Sequence, residues 1–176
     1  YHKNMKNYLK AKLHLFEKLM KKNGNIVSDG KISQIRKIKN ISIKKKINLN
    51  LIFEKKGGIE LISHKFKNEF QVLEILFNNK RFSFKLNLIG KIQIQNILMA
   101  ILAANKSGLK FEKIINIIQK IKPVEGRLER IGIIKNNSKV ILDYAHTPKA
   151  LELALINLKE QFPASKINLV FGCGGN

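Results

Sequence analysis

The chain has 176 residues, 44% of them hydrophobic, enough for a core of one ordinary domain or of one domain and part of another, and no apolar run approaches the ~18 residues of a membrane-spanning helix. Its formal net charge of +22 suggests a polyanion partner when taken alone, but the positive charge is nearly all lysine spread among Ile and Asn, with arginine only at Arg36, Arg81, Arg127 and Arg130, so a solvated basic surface is expected rather than specific nucleic-acid readout. The lone Cys173 excludes an intramolecular disulfide and a Cys-based zinc site, as suits a reducing cytoplasm.

From Asn4 to about Lys22 the apolar residues Met5, Tyr8, Leu9, Leu13, Phe16, Leu19 and Met20 recur at three- and four-residue spacing. That spacing predicts an amphipathic helix. It is not a secretory signal, because it lacks a continuous apolar stretch, and a start at Tyr1 reads as internal. A short strand and turn, Ile26 to Gly30, follows, and then a weak helical stretch near Lys31 to Lys37.

Between Ile41 and Leu88 the pattern turns β-like. Strands are expected at Ile41 to Ile43, Leu49 to Phe53, Ile59 to Ile62, Phe70 to Phe77 and Phe82 to Leu88, with Gly57-Gly58 as a hairpin signal. Their connections are too short for βαβ crossovers, so a small sheet at the side of an α/β domain is expected. After Gly90, Ile94, Ile97, Leu98, Ile101 and Leu102 define the apolar side of a helix with Gly108 near its C-cap. A second helix runs from Phe111 to Ile121 and closes the first unit.

From Gly126 the character changes again. Two strands about Asn136-Asn137 lead through Val140 to Asp143, then comes a helix from about Thr147 to Gln161, then a buried strand from Ile167 to Phe171. This is the β-α-β order of a parallel sheet. The chain stops at Cys173 to Asn176 inside a glycine-rich loop, where the expectation is a second domain cut short, since one such unit cannot bury both faces of its sheet.

Asp143 follows a hydrophobic strand, at the edge where open α/β sheets bind ligands. A carboxylate there can accept from ribose hydroxyls, and Thr147-Pro148 already supplies the start of the next helix, which leaves Asp143 free of a capping role. His146, in the same turn, suits general-base work or a phosphate contact, but a loop histidine bonded to backbone explains it equally well. Gly126-Arg127 sits between the two units, where an arginine can reach phosphates in a cleft; pairing with Glu125 or Glu129 is the plainer alternative. Lys12 lies among many lysines near the edge of an apolar helix face, where a snorkelling side chain is the default. His64 is expected to be exposed, and His2 and His14 form no metal site at recognised spacing. No GxxxxGK followed by Ser or Thr occurs, so the chain does not cradle a triphosphate in the usual way.

YHKNMKNYLKAKLHLF, GKIQIQNILMAILAA, VEGRLERI, and DYAHTP followed by FGCGGN resemble, in order and spacing, segments of the Mur ligase family, and within it the ligases that add the third residue of the peptidoglycan peptide. The resemblance implies an α/β fold: the C-terminal part of a central ATPase domain (residues 1–125), then the start of a Rossmann-like C-terminal domain (residues 126–176). It implies a cytoplasmic, monomeric, ATP- and Mg²⁺-dependent ligase that joins meso-diaminopimelate or L-lysine to a UDP-N-acetylmuramoyl dipeptide through an acyl phosphate. The GCGGN ending leans towards diaminopimelate.

By the same resemblance Lys12 is carbamylated and holds Mg²⁺, Asn96 contacts adenine, Arg127 contacts ATP phosphate, Asp143 contacts ribose and His146 contributes more weakly. Gln93 stands where the family has the first asparagine of its GxxNxxN pattern. The UDP-binding domain, the phosphate loop and most of the amino-acid-selecting domain are not among these residues, so the chain alone is expected not to turn over. Rival readings are another ligase of the superfamily, such as a folylpolyglutamate or cyanophycin synthetase, and, from another class, a basic nucleic-acid-binding module.

Overall fold

A computed structural model describes residues 4–54, 58–67 and 69–172. Helix α1 (Met5–His14) starts at Asn4, whose side chain accepts the Asn7 amide at 2.9 Å, and runs on into a π-helical turn, Leu15–Leu19. Strand β1 (Asn25–Asp29), helix α2 (Ile35–Lys45) and strand β2 (Asn48–Ile52) make a parallel crossover, with Ile26 opposite Leu49 and Asp29 opposite Ile52. Leu13, Ile26, Ile38, Ile41 and Ile47 form the core under it.

This crossover corrects two expectations. The helix begins later than Lys31 and continues through Ile41 to Ile43, where a strand was expected. Ile38, Ile41 and Ser42 are buried while Ile43 is 75% exposed, so the three- and four-residue period outweighs the local β-branched content. Lys46, in the left-handed region at φ 53, ends the helix, and its amide reaches back to Ile43 and Ser42. β2 therefore belongs to a βαβ unit, not to the side sheet.

The side sheet is an antiparallel meander of β3 (Glu60–Lys67), β4 (Phe70–Phe77) and β5 (Lys80–Leu86), with β4 central. Gln71, Leu73, Ile75 and Phe77 alternate inward along β4, as a strand with one buried face requires. Of the Gly57-Gly58 signal, Gly57 lies outside the described residues. Gly58 is packed so closely that an added Cβ would lie 1.8 Å from the Leu51 carbonyl oxygen.

Helices α3 (Ile92–Lys106) and α4 (Phe111–Ile118) cover the inner face of this sheet. The apolar side of α3 buries Ile94, Ile97, Leu98, Ile101 and Leu102, as the sequence spacing requires. Gly108 takes the left-handed conformation after α3, at φ +101. Phe111 stacks on Phe77 with ring centroids 4.0 Å apart, tying the start of α4 to the end of β4.

After the junction, β6 (Glu129–Ile134) and β7 (Ser138–Leu142) form a hairpin turning at Asn136 and Asn137, both left-handed at φ 62 and 60. Helix α5 (Pro148–Gln161) begins at Thr147, which accepts the Ala150 amide at 3.2 Å. The expected buried strand from Ile167 to Phe171 is absent from the structure: these residues pair with no strand among those described, and Val170 is 96% exposed. A parallel strand needs a neighbouring ladder and cover on both faces, and here β7 pairs antiparallel with β6. The parallel strand expected beside Asp143 is thus not formed, although Asp143 does follow the carboxyl end of β7.

Candidate nucleotide site at the interdomain junction

Chain direction reverses sharply at residues 124–128. The Arg127 amide donates to Val124 O at 3.0 Å and the Tyr144 amide to Gly126 O at 2.8 Å. Gly126 (φ +64) and Leu128 (φ 48) are both left-handed, a conformation that costs a leucine roughly 1–2 kcal/mol and is held by its surroundings. Leu128 is buried against Ile89 and Ala154, and its amide donates to Asp143 Oδ2 at 2.9 Å. Asp143 was expected to be left free for ligand. One of its oxygens instead holds the junction, and the residue is half-buried.

Arg127 is exposed and lies over the Tyr144 ring, 5.1 Å from its centroid. Neither plainer pairing forms, because Glu129 instead accepts the Gly126 amide at 2.8 Å. The guanidinium is therefore oriented by an aromatic face and keeps its donors available. His146 is exposed and its Nδ1 lies 3.1 Å from Tyr144 O. A carbonyl only accepts, so Nδ1 carries the proton. This is the backbone-bonded loop histidine weighed from sequence.

Asn96 reaches the same place from α3. Its Nδ2 lies 3.5 Å from Gln93 Oε1, the outer limit of a hydrogen bond, and Gln93 Nε2 donates to Arg127 O at 3.2 Å. Gln93, the departure from the family pattern, is thus the link between Asn96 and the junction. Asn96 is joined through Gln93 to the Arg127 carbonyl, and Asp143 to the neighbouring Leu128 amide. Together these residues supply an amide, a cation and a carboxylate, chemistry that a base, a phosphate and a ribose would each use.

Lys12 does not join them. It is exposed on α1 with its ammonium 4.5 Å from the centroid of the Tyr8 ring, and among the described residues no hydrogen bond or ion pair ties it to the junction. Nor does any group of three His, Cys, Asp or Glu among them form a ready metal cage. A carbamate on Lys12 would add one hard oxygen ligand, which fits Mg²⁺, a cation that keeps several waters and takes few protein ligands.

Sequence reasoning missed other polar groups. Asp29, buried at the end of β1, accepts from Lys31 N at 2.7 Å and from Gln95 Nε2 at 3.2 Å, tying the parallel pair to α3. His64 is half-buried, not exposed, and its Nε2 meets Gln71 Oε1 at 2.9 Å. Gln71, fully buried, donates to Leu88 O and Gly90 O. Burial holds the His64 pKa below its ordinary value of 6.5, against the pull of the Gln71 bond. A polar residue at an inward position of a strand was the available signal.

Residues 1–104 match the Mur ligase middle domain, and residues 126–176 match the Mur ligase glutamate ligase domain. The chain belongs to the Mur ligase family. It is 37% identical, over its whole length, to the UDP-N-acetylmuramoyl-L-alanyl-D-glutamate--2,6-diaminopimelate ligase of Rickettsia montanensis, of which it spans 36%. A solved structure of a ligase of that name superposes on all of the chain with a TM-score of 0.72 at 22% identity, using 36% of its own length. The MurF structure from Acinetobacter baumannii covers 91% of the chain with a TM-score of 0.76 at 16% identity, using 34% of its own length. Both structures attest to the α/β fold of the family. Among the described residues no helix is long and apolar enough to cross a membrane.

Proposed function

We propose that these residues form the nucleotide-facing joint of a cytoplasmic ATP-dependent ligase that adds meso-diaminopimelate to UDP-N-acetylmuramoyl-L-alanyl-D-glutamate. The observation that carries the reading is the hydrogen-bond chain that ties Asn96, through Gln93, to the Arg127 carbonyl, with Asp143 holding the next amide, that of Leu128. The division follows the same joint: residues 1–125 belong to the central ATP-binding domain and residues 126–176 begin the domain that receives the amino acid. The relatives' names support the substrate, and the chain spans only 36% of the length of the Rickettsia montanensis relative.

In this reading Asn96 binds the adenine edge, Asp143 Oδ1 accepts from a ribose hydroxyl, and Arg127, fixed over Tyr144, meets phosphate oxygens with paired donors. His146 makes a weaker contact. Lys12, as a carbamate, would hold Mg²⁺, which would neutralise phosphate charge when bound. The D-glutamate carboxylate oxygen bonds to the γ-phosphorus of ATP as the bond to ADP breaks. The amine of the incoming amino acid then attacks the acyl carbon, and phosphate leaves. The residues here contribute position and charge rather than covalent chemistry.

The test is phosphate release by a ligase carrying this chain, given ATP, the UDP-linked dipeptide and either diaminopimelate or L-lysine. Release with diaminopimelate and not with lysine is expected. Release that requires lysine, or a folate with glutamate, contradicts the assignment. The 176-residue chain by itself is expected to release none.

A further inference from the structure

Helix α3 begins without a cap of its own, since Lys91 at the N-cap position makes no side-chain bond to the helix. The amides of a first turn have no carbonyl four residues back and need acceptors from elsewhere. The Gln93 and Ile94 amides find theirs locally, at Gly90 O and Lys91 O. The acceptor of the Ile92 amide comes from across the joint, Asn157 Oδ1 at 3.0 Å, and two residues earlier Gln161 Oε1 accepts from Gly90 N at 2.8 Å. Asn157 and Gln161 lie one turn apart on the face of α5 turned inward, and they are only 8% and 4% exposed.

Both amides are there for their oxygens. Asn157 Nδ2 donates to Leu153 O at 2.7 Å, which turns its oxygen towards α3. Gln161 Nε2 is buried with no partner; an apolar side chain would avoid that desolvation cost, so the acceptor is what the position supplies. From the opposite side Gln71 grips the same segment, donating to Leu88 O at 2.7 Å and Gly90 O at 3.1 Å. Gly90 has no room for a side chain: an added Cβ would lie 2.6 Å from Leu128 Cδ1 and 3.2 Å from Asn157 Cβ. One residue beyond Ile92, Gln93 bonds Arg127 O and meets Asn96.

We propose that Asn157 and Gln161 are positioning residues for nucleotide binding: from the second unit Asn157 caps α3 and Gln161 fixes the Gly90 turn that leads into it, and together they hold Gln93 and Asn96 in register with Arg127. The base-contacting end of α3 is then set only while α5 is docked. This rests on the reading of Asn96 as a base contact.

The test uses the 176-residue chain, with amide exchange and adenosine titration followed by nuclear magnetic resonance. Asn157→Ala is expected to speed exchange at Ile92 about fivefold, the usual worth of a lost cap, to shift the side-chain amide signals of Gln93 and Asn96, and to weaken adenosine about as much. Exchange at Leu98, deep in the core, stays slow. Gln161→Leu removes the acceptor of the Gly90 amide and is expected to speed exchange at Gly90 about as much, with the same shift of Gln93 and Asn96 and a like loss of adenosine affinity. Equal acceleration at Ile92 and Leu98 would mean a merely structural role and overturn the proposal, as would unchanged adenosine affinity in Asn157→Ala. If adenosine leaves Asn96 of the unaltered chain unmoved, the base-contact reading itself fails and takes the positioning role with it.

Discussion

Asp143 closes the interdomain junction by accepting the Leu128 amide at 2.9 Å, across 15 residues of sequence. In the proposed reading one carboxylate has two tasks, one oxygen for the fold and one for a ligand. Asp143→Ala leaves a buried amide without an acceptor and is expected to cost about 1–3 kcal/mol. Asp143→Asn keeps an acceptor and most of that stability but loses the charge offered to a ribose. Urea unfolding of the two variants, beside the KM for ATP in a ligase carrying these residues, separates the tasks. The asparagine variant should fold well and bind ATP more weakly.

Gly90 and Gly108 are both left-handed, at φ +89 and +101, but a Cβ at Gly108 meets nothing within 4 Å whereas one at Gly90 meets Leu128. Gly108→Ala should lose the conformational penalty alone, roughly 1–2 kcal/mol. Gly90→Ala adds the steric cost of a tight core, a further ~1–3 kcal/mol. Chemical denaturation of both variants checks the order.

Lys12 is exposed and its contact is an aromatic ring, so Lys12→Arg should change stability by less than about 0.5 kcal/mol. Arginine keeps the charge but does not form a stable carbamate. If Lys12 works as a carbamate, this variant loses at least about a hundredfold in turnover, the scale of several kcal/mol of charge stabilisation. Labelled bicarbonate should give a carbamate signal in the unaltered enzyme and none in the variant.

His64 is held neutral by burial, with its pKa below 6.5. In the unfolded chain the imidazole protonates first as pH falls, so the unfolded state binds more protons over that window. Stability from this site is full above 6.5, declines as pH falls through that value, and is lost once the lowered folded pKa is passed. His64→Gln keeps a donor for Gln71 and should flatten that part of the profile, measured by denaturation from neutral to mildly acidic pH.

Much of this was legible in the residues. The apolar side of α3 and the alternation along β4 follow directly from spacing, and Thr147-Pro148 marks the start of α5. The run from Ile41 to Ile43 misled because β-branched residues favour strands locally, whereas the burial of Ile38 and Ile41 is decided by packing against Ile26 and Leu13. The stretch from Ile167 to Phe171 reads as a buried strand because it is apolar, but burial depends on neighbours that periodicity does not reveal. That Arg127 and Asp143 stand at the junction was legible from their place in the chain. Gln93, Asn157 and Gln161 did not, because an amide that caps a distant helix looks in sequence like any polar residue on an amphipathic face.

The most direct test of the proposed nucleotide site is the structure of a ligase carrying this chain with a non-hydrolysable ATP analogue bound. Adenine at Asn96, a ribose hydroxyl on Asp143 Oδ1 and phosphate oxygens within reach of Arg127 are expected. A nucleotide bound elsewhere, with Asn96 still against Gln93 and Arg127 still over Tyr144, would contradict it.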